Sequence, residues 1–120
     1  MLKKFLFMTA PLAILVPLAG QATVTVQLDP GTETSVTLAS YRCDQGDAFT
    51  VQYINSAQNA LAVIPIDGAE RIFVNVVSGS GARYVSGEYE WWSKGEEATL
   101  TNVIAGTQPQ QCGPDDKQDD

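Results

Sequence analysis

The stretch Ala60-Leu61-Ala62-Val63-Ile64-Pro65-Ile66, followed by Asp67-Gly68 and then Arg71-Ile72-Phe73-Val74-Asn75-Val76-Val77, sets two apolar, β-branched runs on either side of an Asp-Gly dipeptide. β-Branched residues fit a pleated, half-buried surface. Asp-Gly is the strongest short signal for a two-residue hairpin, because both turn positions need a left-handed backbone. Pro65 has no N–H to give to a ladder, so it marks an edge or a strand end. The pair reads as a β-hairpin, and the rest of the chain repeats the pattern.

Working outward, Phe49, Val51 and Tyr53 alternate with polar residues and stop at Asn55-Ser56-Ala57. Before them, Val36 and Leu38 continue toward Tyr41 and Cys43, and Asp44-Gln45-Gly46-Asp47 makes the next turn. Thr23-Val24-Thr25-Val26-Gln27-Leu28 alternates cleanly up to the turn Asp29-Pro30-Gly31 and predicts a further strand. Downstream, a strand through Tyr89 to Trp92 turns at Lys94-Gly95 into a last strand through Ala98, Leu100 and Ile104. In the first of these, Tyr89 and Trp91 share one face and Trp92 takes the other. Seven or eight short strands, with no helical period anywhere, predict an all-β domain: a small antiparallel barrel or sandwich. Closure into a barrel would leave no open edge.

Lys3 and Lys4 precede the apolar run from Phe5 to Val16, and small residues follow at Gly20 and Ala22. This order reads as a secretory signal peptide over residues 1–22, cut after Ala22. Pro11 and Pro17 keep the run short of the roughly 20 apolar residues that a membrane span needs. No cysteine lies near the cut, so the expectation is a soluble periplasmic protein that is neither a lipoprotein nor anchored to the membrane. The domain would occupy residues 23–112, and the charged stretch 113–120, which has no apolar residue, reads as a disordered acidic tail.

Cys43 and Cys112 are an even pair in an exported chain, so a disulfide is expected. Two cysteines without any histidine make a poor metal site, and their separation is far from redox spacing. No metal and no cofactor are expected. With 7 basic and 14 acidic residues the chain carries a net charge of −7, and removal of Lys3 and Lys4 makes it −9. That sign argues against a nucleic-acid partner and against an anionic membrane surface. It favours a basic protein partner, whose encounter it would accelerate.

The densest polar cluster is Gly79-Ser80-Gly81-Ala82-Arg83-Tyr84, with Lys94-Gly95 at the end of the aromatic run Tyr89-Glu90-Trp91-Trp92. Taken singly, a serine between glycines is a turn residue and a lysine before glycine is a solvated hairpin corner. Together they can reach into another molecule's cleft. Tyr41-Arg42-Cys43, the motif S-G-x-x-Y at Ser80 to Tyr84, the motif Y-x-x-W-x-K-G at Tyr89 to Gly95, and Cys112 resemble the bacterial inhibitors of C-type lysozyme, the MliC/PliC family.

The resemblance covers roughly residues 40–112 and implies an eight-stranded antiparallel β-barrel that is not an enzyme. It implies a basic C-type lysozyme as partner, with Ser80 and Lys94 entering the cleft to meet the catalytic carboxylates. Gly81, Tyr84 and Gly95 belong to the same implied contact region. Tyr89 and Trp92, with Tyr84 also read in this role, would brace the two loops. Some relatives pair into dimers, which leaves a homodimer open here. Two other readings stay open: a small-ligand or envelope-assembly barrel with its aromatics around a cavity, and a hydrolase with Ser80 as nucleophile and Lys94 as base.

Overall fold

The computed structural model describes residues 33–116, together with 9–15, 20, 23, 25, 27 and 28. Eight strands follow in order: β1 (Thr34–Cys43), β2 (Phe49–Ser56), β3 (Asn59–Ile66), β4 (Ala69–Val76), β5 (Ala82–Ser86), β6 (Tyr89–Lys94), β7 (Glu97–Asn102) and β8 (Gln110–Pro114). Each pairs antiparallel with its neighbour, and β8 returns to β1 to close the barrel. The expected eight-stranded all-β barrel with one disulfide is what forms.

The Asp-Gly hairpin forms as read. Asp67 and Gly68 both have positive φ, 50° and 80°, and Ile66 pairs with Ala69 across them. Pro65 lies past the last β2–β3 pair, Gln52 with Val63, so its missing N–H costs that ladder nothing.

Alternation fills the interior. Val51, Ala62, Ile64, Phe73, Tyr84, Trp91 and Ala98 point inward and are buried. Trp91 is the hub: its ring meets Tyr41 edge-on at 4.9 Å and Phe49 at 5.9 Å. Its indole N–H donates to the Tyr53 hydroxyl at 2.9 Å, and the Tyr53 and Tyr41 hydroxyls are hydrogen-bonded at 2.8 Å. Each large buried side chain contributes roughly 1.5–3 kcal/mol relative to exposure. The paired hydroxyls avoid the cost of buried, unmatched polar groups.

The seam between β1 and β8 is short: Tyr41 faces Pro114, Arg42 faces Gly113 and Cys43 faces Cys112. The disulfide joins that last pair, closing a loop with a sequence separation of 69. A loop of that length is worth roughly 4 kcal/mol through the unfolded chain. Cys43–Cys112 thus clamps a seam of only three ladder pairs.

Parts of the reading change. Of the strand expected at Thr23–Leu28, Thr23, Thr25, Gln27 and Leu28 lie in no strand, and Val24 and Val26 lie outside the described residues. In β1 the inward residues are Tyr41 and Cys43 with Ala39 packed beside them, so Val36 and Leu38 sit on the outer face. β7 stops at Asn102, whose side chain accepts from the N–H groups of Ile104 and Ala105 and turns the chain. The eighth strand, unread in the sequence, extends past Cys112 to Pro114, and the Asp115 N–H still bonds the Ser40 carbonyl at 3.0 Å. The ordered domain therefore runs beyond residue 112, and residues 117–120 lie outside the described residues. Most of the signal-peptide reading (residues 1–22) also falls outside them. No helix among the described residues is long and apolar enough to cross a membrane.

Candidate functional site

Strand direction decides which loops share an end of the barrel. The β4–β5 loop, Val77 to Gly81, and the two-residue turn Gly95-Glu96 between β6 and β7 emerge on the same end, beside the start of β1. Pairing of Ala82 with Ser93 brings Gly81 alongside Lys94. Ser80 and Lys94, fourteen positions apart in the sequence, thereby become neighbours in space.

The loop is held from within and from outside. The Ser78 hydroxyl donates to the Gly81 carbonyl at 3.0 Å. From the barrel's outer face, the Trp92 indole N–H donates to the Ser80 carbonyl at 2.9 Å. Gly81 has a φ of +67°, and a Cβ there would collide with the Ser93 carbonyl oxygen and lie 2.7 Å from Lys94 Cγ. Only glycine lets the loop lie this close to β6. The tip carries Ser80 outward with its carbonyl engaged. Its hydroxyl makes no hydrogen bond among the described residues.

The charges around it are arranged unequally. Three cations among the described residues have carboxylate partners: Arg42 with Asp115 at 3.2 Å, Arg71 with Glu88 at 3.6 Å and Arg83 with Glu90 at 2.7 Å. Lys94, the fourth, has none within salt-bridge distance among the described residues and is exposed. Its Nζ lies 4.9 Å from the centre of the Trp92 ring, and the Arg83 guanidinium lies 5.9 Å from the same ring. Trp92 thus touches both halves of the site, holding the Ser80 loop by a hydrogen bond and the Lys94 ammonium over its π face. A groove of about 280 Å³ runs beside Lys94, lined by Trp92, Glu97, Thr99 and Gln111.

The expected site residues separate into two groups. Ser80, Gly81, Lys94 and Gly95 come together at the barrel end. Tyr84 does not join their surface: it is 6% exposed and packs inside against Tyr53, 5.7 Å between rings, and burial raises the pKa of its hydroxyl. Tyr89 lies at the opposite end of β6, under the Arg71 guanidinium at 4.8 Å, so it braces the far hairpin and neither loop. Glu88 beside it is held below the usual carboxylate range, first by a backbone hydrogen bond and then by Arg71. Trp92, on the outside of the barrel, contacts both the Ser80 loop and Lys94.

One residue went unread. Val77 had closed the preceding strand in the sequence, yet β4 ends at Val76 and Val77 stands 93% exposed at the root of the Ser80 loop. The signal was its position, a β-branched residue immediately before Ser78-Gly79-Ser80-Gly81.

Three comparisons bear on this arrangement. The profile of the MliC family, "Membrane-bound lysozyme-inhibitor of c-type lysozyme", matches residues 41–108. A Pseudomonas aeruginosa protein named "Membrane-bound lysozyme inhibitor of C-type lysozyme" is 51% identical over 70 residues, 58% of this chain and 55% of that protein. A protein of the same name from Cupriavidus necator is 52% identical over 64 residues, 53% of this chain and 51% of that protein. The chain spans about half the length of the curated relatives it matches. Among solved structures, the crystal structure of Pseudomonas aeruginosa MliC in complex with hen egg white lysozyme superposes with a TM-score of 0.66 at 41% identity, covering 79% of this chain and 99% of that one. By the profile match across more than half its length, the chain belongs to the MliC family.

Proposed function

We propose that this barrel inhibits a C-type lysozyme by presenting the Ser80 loop and Lys94 to the enzyme's active-site cleft. The observation that carries the reading is the pairing, on one barrel end, of the Ser80 hydroxyl and the Lys94 ammonium, which among the described residues have no hydrogen-bond partner and no carboxylate partner respectively. C-type lysozymes cut peptidoglycan with two carboxyl groups, one acting as acid and one ionised. An ammonium has three donors for such a pair, and a hydroxyl can donate and accept there. The relatives' names and the solved complex point the same way.

The same geometry disfavours catalysis by this chain. A lysine base beside a serine nucleophile needs a desolvated site, and Lys94 is exposed over an indole ring. A ligand-holding interior is disfavoured because Trp91, Phe73, Ile64 and Val51 fill it.

For location, we infer the cell envelope, in soluble periplasmic form. Both cysteines of these 120 residues are engaged in the disulfide, which leaves no thiol for a lipid. The relatives are named membrane-bound, so recovery in the detergent-extracted membrane fraction after osmotic shock would overturn the soluble form.

The deciding measurement is inhibition of peptidoglycan lysis by a C-type lysozyme. A charge-assisted contact in a fitted cleft is worth about 1.5–3 kcal/mol, so Lys94→Ala should weaken inhibition by roughly ten- to a hundredfold. Its melting temperature should stay unchanged, because Lys94 is exposed. Wild-type protein that forms no complex with the enzyme would end the reading. Full inhibition by a Ser80→Ala, Lys94→Ala double variant would retain binding but rule out the cleft plug.

A further inference from the structure

We infer that the barrel mouth opposite the Ser80 loop binds a small organic cation, an ammonium or guanidinium carried on an apolar body. The turns Asp67-Gly68 and Gly87-Glu88 and the longer β1–β2 and β7–β8 connections meet at this end. Between them lies a cavity of about 410 Å³. Small-molecule sites occupy roughly 300–1,000 Å³, and the mouths of barrels are a usual place for them.

The mouth is open for a structural reason. Beneath it the interior is closed by Trp91, Phe73, Ile64 and Val51, all fully buried. One layer farther out, Phe49, Ile66, Tyr89 and Leu100 line the cavity. Of these, Phe49, Tyr89 and Leu100 pack on the core yet stay partly exposed. The Asn102 side chain turns the β7–β8 connection at Ile104 and Ala105, and the residues this connection then sets along the cavity are Ala105 and Thr107. Their side chains are too short to fill the space. An apolar body entering the mouth would take two aromatic rings and a leucine out of water.

The charge around the mouth has one sign. Asp47 and Asp67 line the cavity and are exposed, and among the described residues neither belongs to an ion pair. No lysine or arginine lines it. Arg42, next to Cys43, and Arg71, near the Asp67-Gly68 turn, are taken up by Asp115 and Glu88. Low-dielectric walls focus the field of the two free carboxylates into the opening.

This combination selects the ligand. An anion would be repelled, and a neutral apolar molecule would strip water from the carboxylates without replacing it. A bare metal ion needs more ligands than two aspartates, and no group of three metal-ligating side chains occurs among the described residues. An organic cation meets both demands, its head at Asp47 and Asp67 and its body over Phe49 and Leu100. The site shares no residue with the Ser80 loop or Lys94, so it does not rest on the proposed inhibition.

Titration of the purified protein with benzylammonium, followed by amide chemical shifts, tests this. The shifts should saturate and centre on Asp67, Leu100 and Asn102, while Gly81 and Gly95 stay unmoved. Benzyl alcohol should bind at least about tenfold more weakly, and phenylacetate should leave the mouth unchanged. The double variant Asp47→Asn, Asp67→Asn should lose about tenfold or more in benzylammonium affinity with lysozyme inhibition and melting temperature unchanged. Asparagine accepts the positive φ of residue 67, 50°, so the turn survives. Thr107→Trp, outside the ladder, should fill the mouth and block the probe. Shifts that spread over the acidic surface without saturating would overturn the inference. So would equal affinity for benzyl alcohol, or undiminished binding in the double variant.

Discussion

Trp92 does at residue scale what neither loop does alone. Its indole N–H fixes the Ser80 carbonyl and its ring carries Lys94. Phenylalanine would keep a π face for the ammonium and lose the donor. Trp92→Phe should therefore loosen the Ser80 loop without removing the Lys94 seat. A neutral hydrogen bond is worth about 1 kcal/mol net, so inhibition should weaken roughly fivefold. The amide of Gly81 should exchange faster, while the melting temperature moves little because the bond lies at the surface. Trp92→Leu removes the ring as well and should approach the loss seen in Lys94→Ala. Equal inhibition by Trp92→Phe and wild type would reduce Trp92 to a surface aromatic.

Among the elements, β2 and β6 are tied by the hydroxyl of Tyr53, which accepts from Trp91 and is hydrogen-bonded to Tyr41. Burial, then the Tyr41 bond, raises its pKa well above the ordinary 10.0. The folded state thus favours the neutral phenol. Its contribution is complete below about pH 10, the unfolded value, and is lost as the pH climbs from there toward the folded value. Tyr53→Phe should cost about 1–3 kcal/mol at neutral pH, by leaving Trp91 N–H without its acceptor. It should also flatten the alkaline fall in stability, read from denaturant midpoints between neutral and strongly alkaline pH. An unchanged alkaline slope would assign that fall to other groups. Tyr53 was legible as an inward residue because Phe49, Val51 and Tyr53 alternate without interruption. The Asp67-Gly68 turn was legible because its chemistry is local. β8 was not, since Gln110-Gln111-Cys112-Gly113-Pro114 offers one inward side chain and exists as a strand only because β1 is there to receive it. In β1 the apolar Val36 and Leu38 mark the outer face, 59% and 65% exposed, so hydrophobicity alone does not tell its two faces apart. Ser80 and Lys94 could be found from glycine punctuation and motif spacing, but the strap between them depends on the Ala82–Ser93 register, which no local pattern encodes.

At the scale of the whole molecule, net charge governs the proposed encounter. A chain of net charge −7 would meet a basic enzyme under attraction. Screening shortens that field, the Debye length falling from about 10 Å at 0.1 M salt to about 3 Å at 1 M. Added salt should therefore slow association with lysozyme, since electrostatic steering acts mainly on the on-rate. The off-rate should change less, because the Lys94 contact would be enclosed in the cleft. Surface-binding kinetics with lysozyme, run over one salt series, read the two rates separately. An on-rate for lysozyme indifferent to salt would mean that the acidic surface serves solubility and that the encounter is decided at the loop tips.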